Sequence, residues 1–160
     1  MPSVDATLIA EMLDRHGAAL ALYARQWTSA ADDCVQEALV ELSRQPAAPE
    51  NPAAWLYRVV RNRALNAVRA EGRRNAHEHA AAEQRVAGSP MAADPAEATE
   101  LNDTLATLDA AAREIVVLRV WGGLAWQEIA ELVGGSKTTV QRTYAQALEL
   151  LRRHWEPRIH

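Results

Sequence analysis

Two stretches of this sequence carry side chains suited to a polyanion. NPAAWLYRVVRNRALNAVRAEGRR sets Arg58, Arg61, Asn62, Arg69 and Arg73 along the expected solvent side of a helix whose other side is apolar. Guanidinium and carboxamide groups at that density suit a nucleic-acid backbone and its base edges. In WQEIAELVGGSKTTVQRTYAQAL, small Ala130 is followed four positions on by Gly134 and six further by Val140. That spacing lets two short helices touch, turn through a residue tolerant of positive φ, and seat the second on the first, as in a helix-turn-helix. Ile129, Val133, Tyr144, Ala147 and Leu151 continue the inward faces. Lys137, Thr138, Thr139, Gln141, Arg142 and Ala145 point outward, with Ser136 as the cap. The polar groups among these can bond base edges or phosphates in a major groove. The same pattern also fits an ordinary helical hairpin with a polar outer face, and both readings stand at this point.

Other clusters promise less chemistry. His77-Glu78-His79 has metal-ligating types, but residues two apart on a helix point to different sides and no cysteine or third histidine is near in sequence. No metal or other cofactor is expected. There is no glycine-rich phosphate loop and no Ser-His-Asp or Cys-His arrangement with supporting context, so no enzyme site can be assembled. Asp32-Asp33 reads as helix-start acids. Cys34, the only cysteine, reads as a small buried hydrophobe rather than a redox sensor. Trp27, Trp55, Trp121, Trp126 and Trp155 read as core or interface residues.

The elements that must position these groups are helices. Hydrophobic residues make up 49% and charged residues 24% of 160 residues, with seven glycines, seven prolines, no phenylalanine and abundant alanine. That is helix composition with little strand-forming material. A single cysteine excludes an intrachain disulfide framework. No apolar run reaches the roughly 18 residues of a membrane span, and no basic segment opens the chain as in a secretory signal. A cytoplasmic location without membrane insertion is the expectation. The net charge of −4 argues against a non-specific nucleic-acid coat, yet its layout is uneven. Residues 58–74 balance to +5, residues 75–103 to −5, and residues 135–153 to +3.

Residues 5–26 carry Leu8, Ile9, Met12, Leu13, Leu20 and Tyr23 at helical spacing. Thr28 or Ser29 can cap a second helix with a Val35, Leu39, Leu42 stripe. Three prolines between 46 and 52 stop it. Asn51-Pro52 starts a third helix running to about Arg74, and through the alanines to near Val86, with Trp55, Leu56, Val59, Val60, Leu65 and Val68 inward. Gly88-Ser89-Pro90 and Asp94-Pro95 mark an acidic linker. Leu101, Leu105 and Leu108 mark a short helix, Asp109 caps a helix from Ala110 to Trp121 ended by Gly122-Gly123, and Trp126–Val133 and Ser136 onward complete the series. The expected architecture is all-α. Two small helical bundles, residues 1–87 and 101–160, are joined by a flexible linker over 88–100, and the second bundle holds the helix-turn-helix.

Taken in order, these segments resemble bacterial RNA polymerase sigma factors. ADDCVQEALVEL resembles the D-L-V-Q-E-x-F signature through Asp33, Val35, Gln36 and Glu37, and the arginine-rich helix resembles the AWL-x-x-(I/V)-A-R-N stretch that follows it. Leu108, Arg113, Glu114, Val116, Leu118, Arg119, Gly123, Leu124, Glu128, Ile129, Ala130, Gly134, Ser136, Thr139 and Val140 fall in the pattern of the family's fourth region. The chain is most similar to the short, two-domain extracytoplasmic-function branch.

The resemblance implies a protein that binds core RNA polymerase through Asp33, Gln36 and Glu37 and directs promoter-specific initiation. It places Asn62, Arg63, Asn66 and Arg69 near the downstream (−10) promoter element and the last helix on the upstream (−35) element. An anti-sigma factor is a further candidate partner. Departures are Gln141, Thr143 and Gln146 where the family often has lysine or arginine, Asn66 for a frequent aspartate, Cys34 for leucine, and Ala125 for a capping serine or threonine. Two alternatives stand beside this reading: a helix-turn-helix regulator acting without polymerase, and an interaction protein that binds another regulator.

Overall fold

The structure, a computed structural model, describes residues 3–75 and 103–159, with side chains for 3–73 and 103–154. The chain forms two compact units, and every element of the described residues is helical. The expected linker 88–100, the extension of the third helix toward Val86, Leu101 and the His77-Glu78-His79 cluster lie outside the described residues.

The first unit is a three-helix bundle: α1 (Ala6–Ala24), α2 (Ala31–Ser43) and α3 (Pro52–Asn75). Asp5 caps α1, its Oδ1 accepting from the Leu8 N–H at 2.9 Å, and Asn51 Oδ1 accepts from Ala54 N–H at 3.2 Å at the start of α3. Each side-chain oxygen satisfies one of the N–H groups that a helix start leaves without a carbonyl. Burial on α1 concentrates in its last five residues, Leu20–Ala24. Leu13, expected inside, is 44% exposed. Met12 beside it is buried, so the bundle covers that side of α1 and leaves Leu13 outside.

The start of α2 also departs from expectation. Neither Thr28 nor Ser29 caps it; the N-cap is Ala30, with no side-chain bond. Thr28 is buried. Its hydroxyl accepts from Ala30 N–H at 3.0 Å and donates to Glu71 Oε1 at 2.8 Å, so it ties the α1–α2 turn to α3. In the core, Tyr23 meets Trp27 and Tyr57 edge-on, with centroids 4.9 and 5.3 Å apart. Leu56, Tyr57, Val60 and Ala64 line the buried side of α3, while Trp55, Val59, Leu65 and Val68 are half-buried. At 100° per residue Trp55 and Leu65 lie well round the helix from the Leu56–Val60 row.

The second unit begins with a helical turn at 103–105 and continues through α4 (Ala110–Val116), α5 (Trp126–Val133) and α6 (Lys137–Ile159). Asp109 caps α4, accepting from Ala112 N–H at 2.8 Å. The expected helix to Trp121 changes winding after Val116. Val117–Trp121 is a π-helical turn closed by Gly122 N–H to the Val117 carbonyl at 3.0 Å. Gly123, at φ 65°, then redirects the chain. Ile115, Val116, Val117, Leu118, Ile129, Ala130, Val140 and Ala147 form the core.

Candidate nucleic-acid interface and the polar face of α2

On α3 the exposed polar residues are Arg58, Asn62, Asn66, Arg69 and Arg73. At 100° per residue these five positions fall within roughly 80° of arc, opposite the buried Leu56, Tyr57, Val60 and Ala64. One row of cations and amides therefore runs along the helix from Arg58 to Arg73. Arg69 Nη1 donates to Asn66 Oδ1 at 3.2 Å, linking neighbours within the row. Glu71, the one acid in this basic stretch, is turned to the inner side, where the Thr28 hydroxyl holds it. The row keeps its charge because its acid has been taken away from it.

Two further arginines, Arg61 and Arg63, sit on opposite shoulders of the helix. Arg61 is half-buried with its guanidinium 5.9 Å from the Trp27 ring centroid, so it stands beside the solvent row rather than in it. Arg63 reaches α2. Its Nη1 donates to Glu37 Oε2 at 2.7 Å and its Nη2 to Glu41 Oε2 at 2.8 Å. The Glu41 hydrogen bond leads in holding the guanidinium even more firmly charged than usual. The structure thus brings together Arg63 and Glu37, which the family resemblance places against two different partners.

Asp33, Gln36 and Glu37 are all exposed. Spaced by three and four, they share one face of α2, and Val40, 47% exposed, continues it one turn on. Cys34, between them in sequence, is buried on the other side. Burial first, then Glu37 and Asp33, push its thiol up, so it stays protonated and packs as an apolar side chain.

In the second unit the turn between α5 and α6 has the expected geometry. Gly134 lies in the left-handed region at φ 81°, and the Ala130 carbonyl accepts from both Gly134 and Gly135 N–H at 2.9 Å. Ala130 and Val140 are both buried where α5 and α6 pack together. Ser136 caps α6, its Oγ accepting from Thr139 N–H at 3.1 Å. Lys137, Thr138, Thr139, Gln141, Arg142 and Ala145 are all exposed. The positive end of α6 and these side chains face outward together.

Two groups that hold this unit in shape were not singled out for that role from sequence. The Arg119 guanidinium lies 4.2 Å from the Trp126 ring centroid and donates to the Leu124 carbonyl at 2.9 Å, and Trp126 meets Tyr144 edge-on at 5.0 Å. This stack ties the π turn to α5 and α5 to α6. Arg113 donates to the Leu105 and Leu108 carbonyls at 3.1 and 2.9 Å. Farther along α6, Glu149 accepts from Arg152 at 2.8 and 2.9 Å and pairs with Arg153 at 3.5 Å. The Arg152 hydrogen bonds lead in holding its carboxyl below the usual range.

Among the described residues no helix is long and apolar enough to cross a membrane, and no three His, Cys, Asp or Glu side chains are placed to hold a metal ion. The family model for sigma-70 region 2 matches residues 12–74, and that for sigma-70 region 4 matches residues 98–151. No curated protein matches the chain. Two solved structures are similar in fold. One is CnrH in complex with the cytosolic domain of CnrY, at 25% identity and TM-score 0.64, covering 96% of this chain and 90% of that one. The other is the sigma factor RpoE in complex with the anti-sigma factor NepR from Bartonella quintana, at 22% identity and TM-score 0.68, covering 93% and 96%. Region 2 holds the α2 face and the α3 row, region 4 holds the helix-turn-helix, and the two follow in the family's order: the chain belongs to the sigma-70 family and is a sigma factor, acting with core RNA polymerase on promoter DNA.

Proposed function

We propose a division of labour over three surfaces. Asp33, Gln36 and Glu37 on α2 bind core RNA polymerase, an acidic face meeting a basic one. On α3, Arg58, Asn62, Asn66, Arg69 and Arg73 hold the downstream promoter element. Ser136, Lys137, Thr138, Thr139, Gln141 and Arg142 contact the upstream element in its major groove. Residues 1–87 carry the first two tasks and residues 101–160 the third, with 88–100 as the strap between them. The observation that carries this reading is the uninterrupted α3 row opposite a fully buried side. A core helix has no use for such a row, and a phosphate backbone does.

The chain performs no chemistry of its own; it selects where polymerase starts, from a cytoplasmic location. Because the two structures described above are complexes, one of them with an anti-sigma factor, the chain takes an anti-sigma factor as its inhibitor. The test is a pull-down of core RNA polymerase with the wild-type chain and with Asp33, Gln36 and Glu37 changed together to alanine, followed by transcription from a promoter library. Wild type should bind core and initiate, and the triple variant should lose core binding with its helix content intact by circular dichroism. Equal binding by both chains overturns the α2 assignment. Duplex binding by the wild type without any binding to core favours the regulator that acts alone.

A further inference from the structure

We propose that Arg63 is a positioning residue of the polymerase-binding face, holding Glu37 and Glu41 in place on α2, and that it does not contact promoter DNA. The inference rests on the reading of α2 given above and departs from the family-derived placement of Arg63 near the downstream element.

Both terminal nitrogens of the Arg63 fork are committed to carboxylates on α2, at 2.7 and 2.8 Å. Its Nε is buried without a partner, which seats the base of the guanidinium between the helices. The Arg63 side chain is 36% exposed, against 57% for Glu37. Arg63 lies on the shoulder of α3 that faces α2, about 60° beyond the nearest member of the exposed row. For Arg63 to reach a phosphate it would have to leave Glu37 and Glu41, two like charges one turn apart that repel each other when unbridged. The planar fork spans both carboxylates at once; a lysine ammonium, a point charge, cannot do so with the same geometry. Arg63 engages Oε2 of Glu37 and leaves more than half of that side chain open to a basic partner. The fork thereby fixes the rotamer of one member of the Asp33, Gln36, Glu37 face and joins that face to the helix carrying the DNA row.

The test separates the two roles by what each variant loses. Arg63→Gln, Arg63→Lys and Glu41→Gln are compared with wild type for affinity to core RNA polymerase. Each is then assembled at saturating core and titrated onto promoter DNA over a range of salt. Arg63→Gln should weaken core binding about three- to tenfold, on the scale of two partly exposed ion pairs. It should leave the slope of log affinity against log salt for promoter DNA unchanged, while Arg58→Gln lowers that slope by about one. Arg63→Lys should not restore core affinity, since charge without the fork is insufficient. Glu41→Gln breaks one arm without touching α3 or the polymerase triad; it should weaken core binding about two- to threefold with the DNA slope intact. It also keeps the question open to experiment should Arg63→Gln misfold. A lowered salt slope in Arg63→Gln, or full restoration of core binding by Arg63→Lys, overturns the proposal. If wild type binds core and the α2 triple variant does not, yet Arg63→Gln and Glu41→Gln bind as wild type, this inference alone falls. If wild type does not bind core, the reading of α2 falls and takes this inference with it.

Discussion

The two basic helices, α3 and α6, look alike as charge counts and differ as surfaces. In α3 the lone acid, Glu71, is drawn to the inner side by Thr28, and the exposed row of Arg58, Asn62, Asn66, Arg69 and Arg73 stands undiluted. In α6 the acid lies outside among the bases, where Glu149 engages Arg152 and Arg153. Only Lys137 and Arg142 remain near the helix start, beside hydroxyls and an amide. Local net charge along a sequence is therefore a poor measure of the charge a face presents. What counts is which side of the helix the neutralising group occupies. If these faces meet DNA as proposed, region 2 grips it through charge and region 4 reads it through fewer, more directional contacts.

The largest expected effect breaks or sustains this contrast directly. Arg58→Gln, Arg69→Gln and Arg73→Gln combined should lower promoter affinity of the polymerase-bound chain on the order of a hundredfold and flatten the salt slope by about three. Lys137→Gln with Arg142→Gln should cost roughly tenfold and change the slope by no more than about two. Salt-dependent binding titrations measure both, and equal losses would erase the difference between the helices.

A smaller effect probes how rigidly region 4 must aim its contacts. Nothing lies within 4 Å of a Cβ added at Gly134, so Gly134→Ala meets no clash, only its φ of 81°. It should destabilise α5 and α6 by about 1–2 kcal/mol, read as faster amide exchange there with α1–α3 unchanged. Gly134→Asn should lose less, since asparagine tolerates that conformation better. In the opposite direction, Ala125→Ser supplies the oxygen missing at the start of α5. Glu128 Oε1 already accepts from Ala125 N–H at 2.8 Å, so the serine completes a reciprocal capping pair. The gain should be about 1 kcal/mol, visible in the same exchange measurement.

The smallest effect belongs to the first bundle. His16 is lowered from 6.5, first by burial and then by Arg15. The folded chain thus favours the neutral ring and the unfolded chain takes up a proton more readily. Stability from this residue is fully present above about pH 6.5 and is lost as pH falls through the lowered folded value. His16→Gln should flatten that part of a stability–pH curve. An unchanged curve would show that the histidine is not coupled to folding.

Much of the architecture was legible in the sequence because its signals are local. Asn51-Pro52, Asp109 and Ser136 announce helix starts through side-chain oxygens and a proline fitted to the first turn, and Gly134 announces the turn through its missing Cβ. Asp33, Gln36 and Glu37 stand out through the family resemblance, and their spacing by three and four is consistent with the one exposed face they share. Less was legible where a residue answers to a neighbour distant in sequence. Thr28 looks like a helix cap and instead bonds Glu71 on another helix. Leu13 has the right spacing yet stands 44% exposed, while Met12 beside it is buried. Tyr57, one position off the expected stripe, is fully buried because Tyr23 offers it a ring edge.

By itself the sequence determined most of the helices, the caps at Asn51, Asp109 and Ser136, the helix-turn-helix and the polar faces of α3 and α6. Each depends on contacts within a turn or two of the chain, and periodicity records them. Only the tertiary structure decided which charges remain on those faces. The partners of Arg63 lie 26 and 22 residues away, the partner of Glu71 lies 43 away, and Arg61 is drawn against Trp27. Ion pairs and hydrogen bonds between helices depend on distances of a few ångströms that packing alone sets, and no spacing along one helix encodes them.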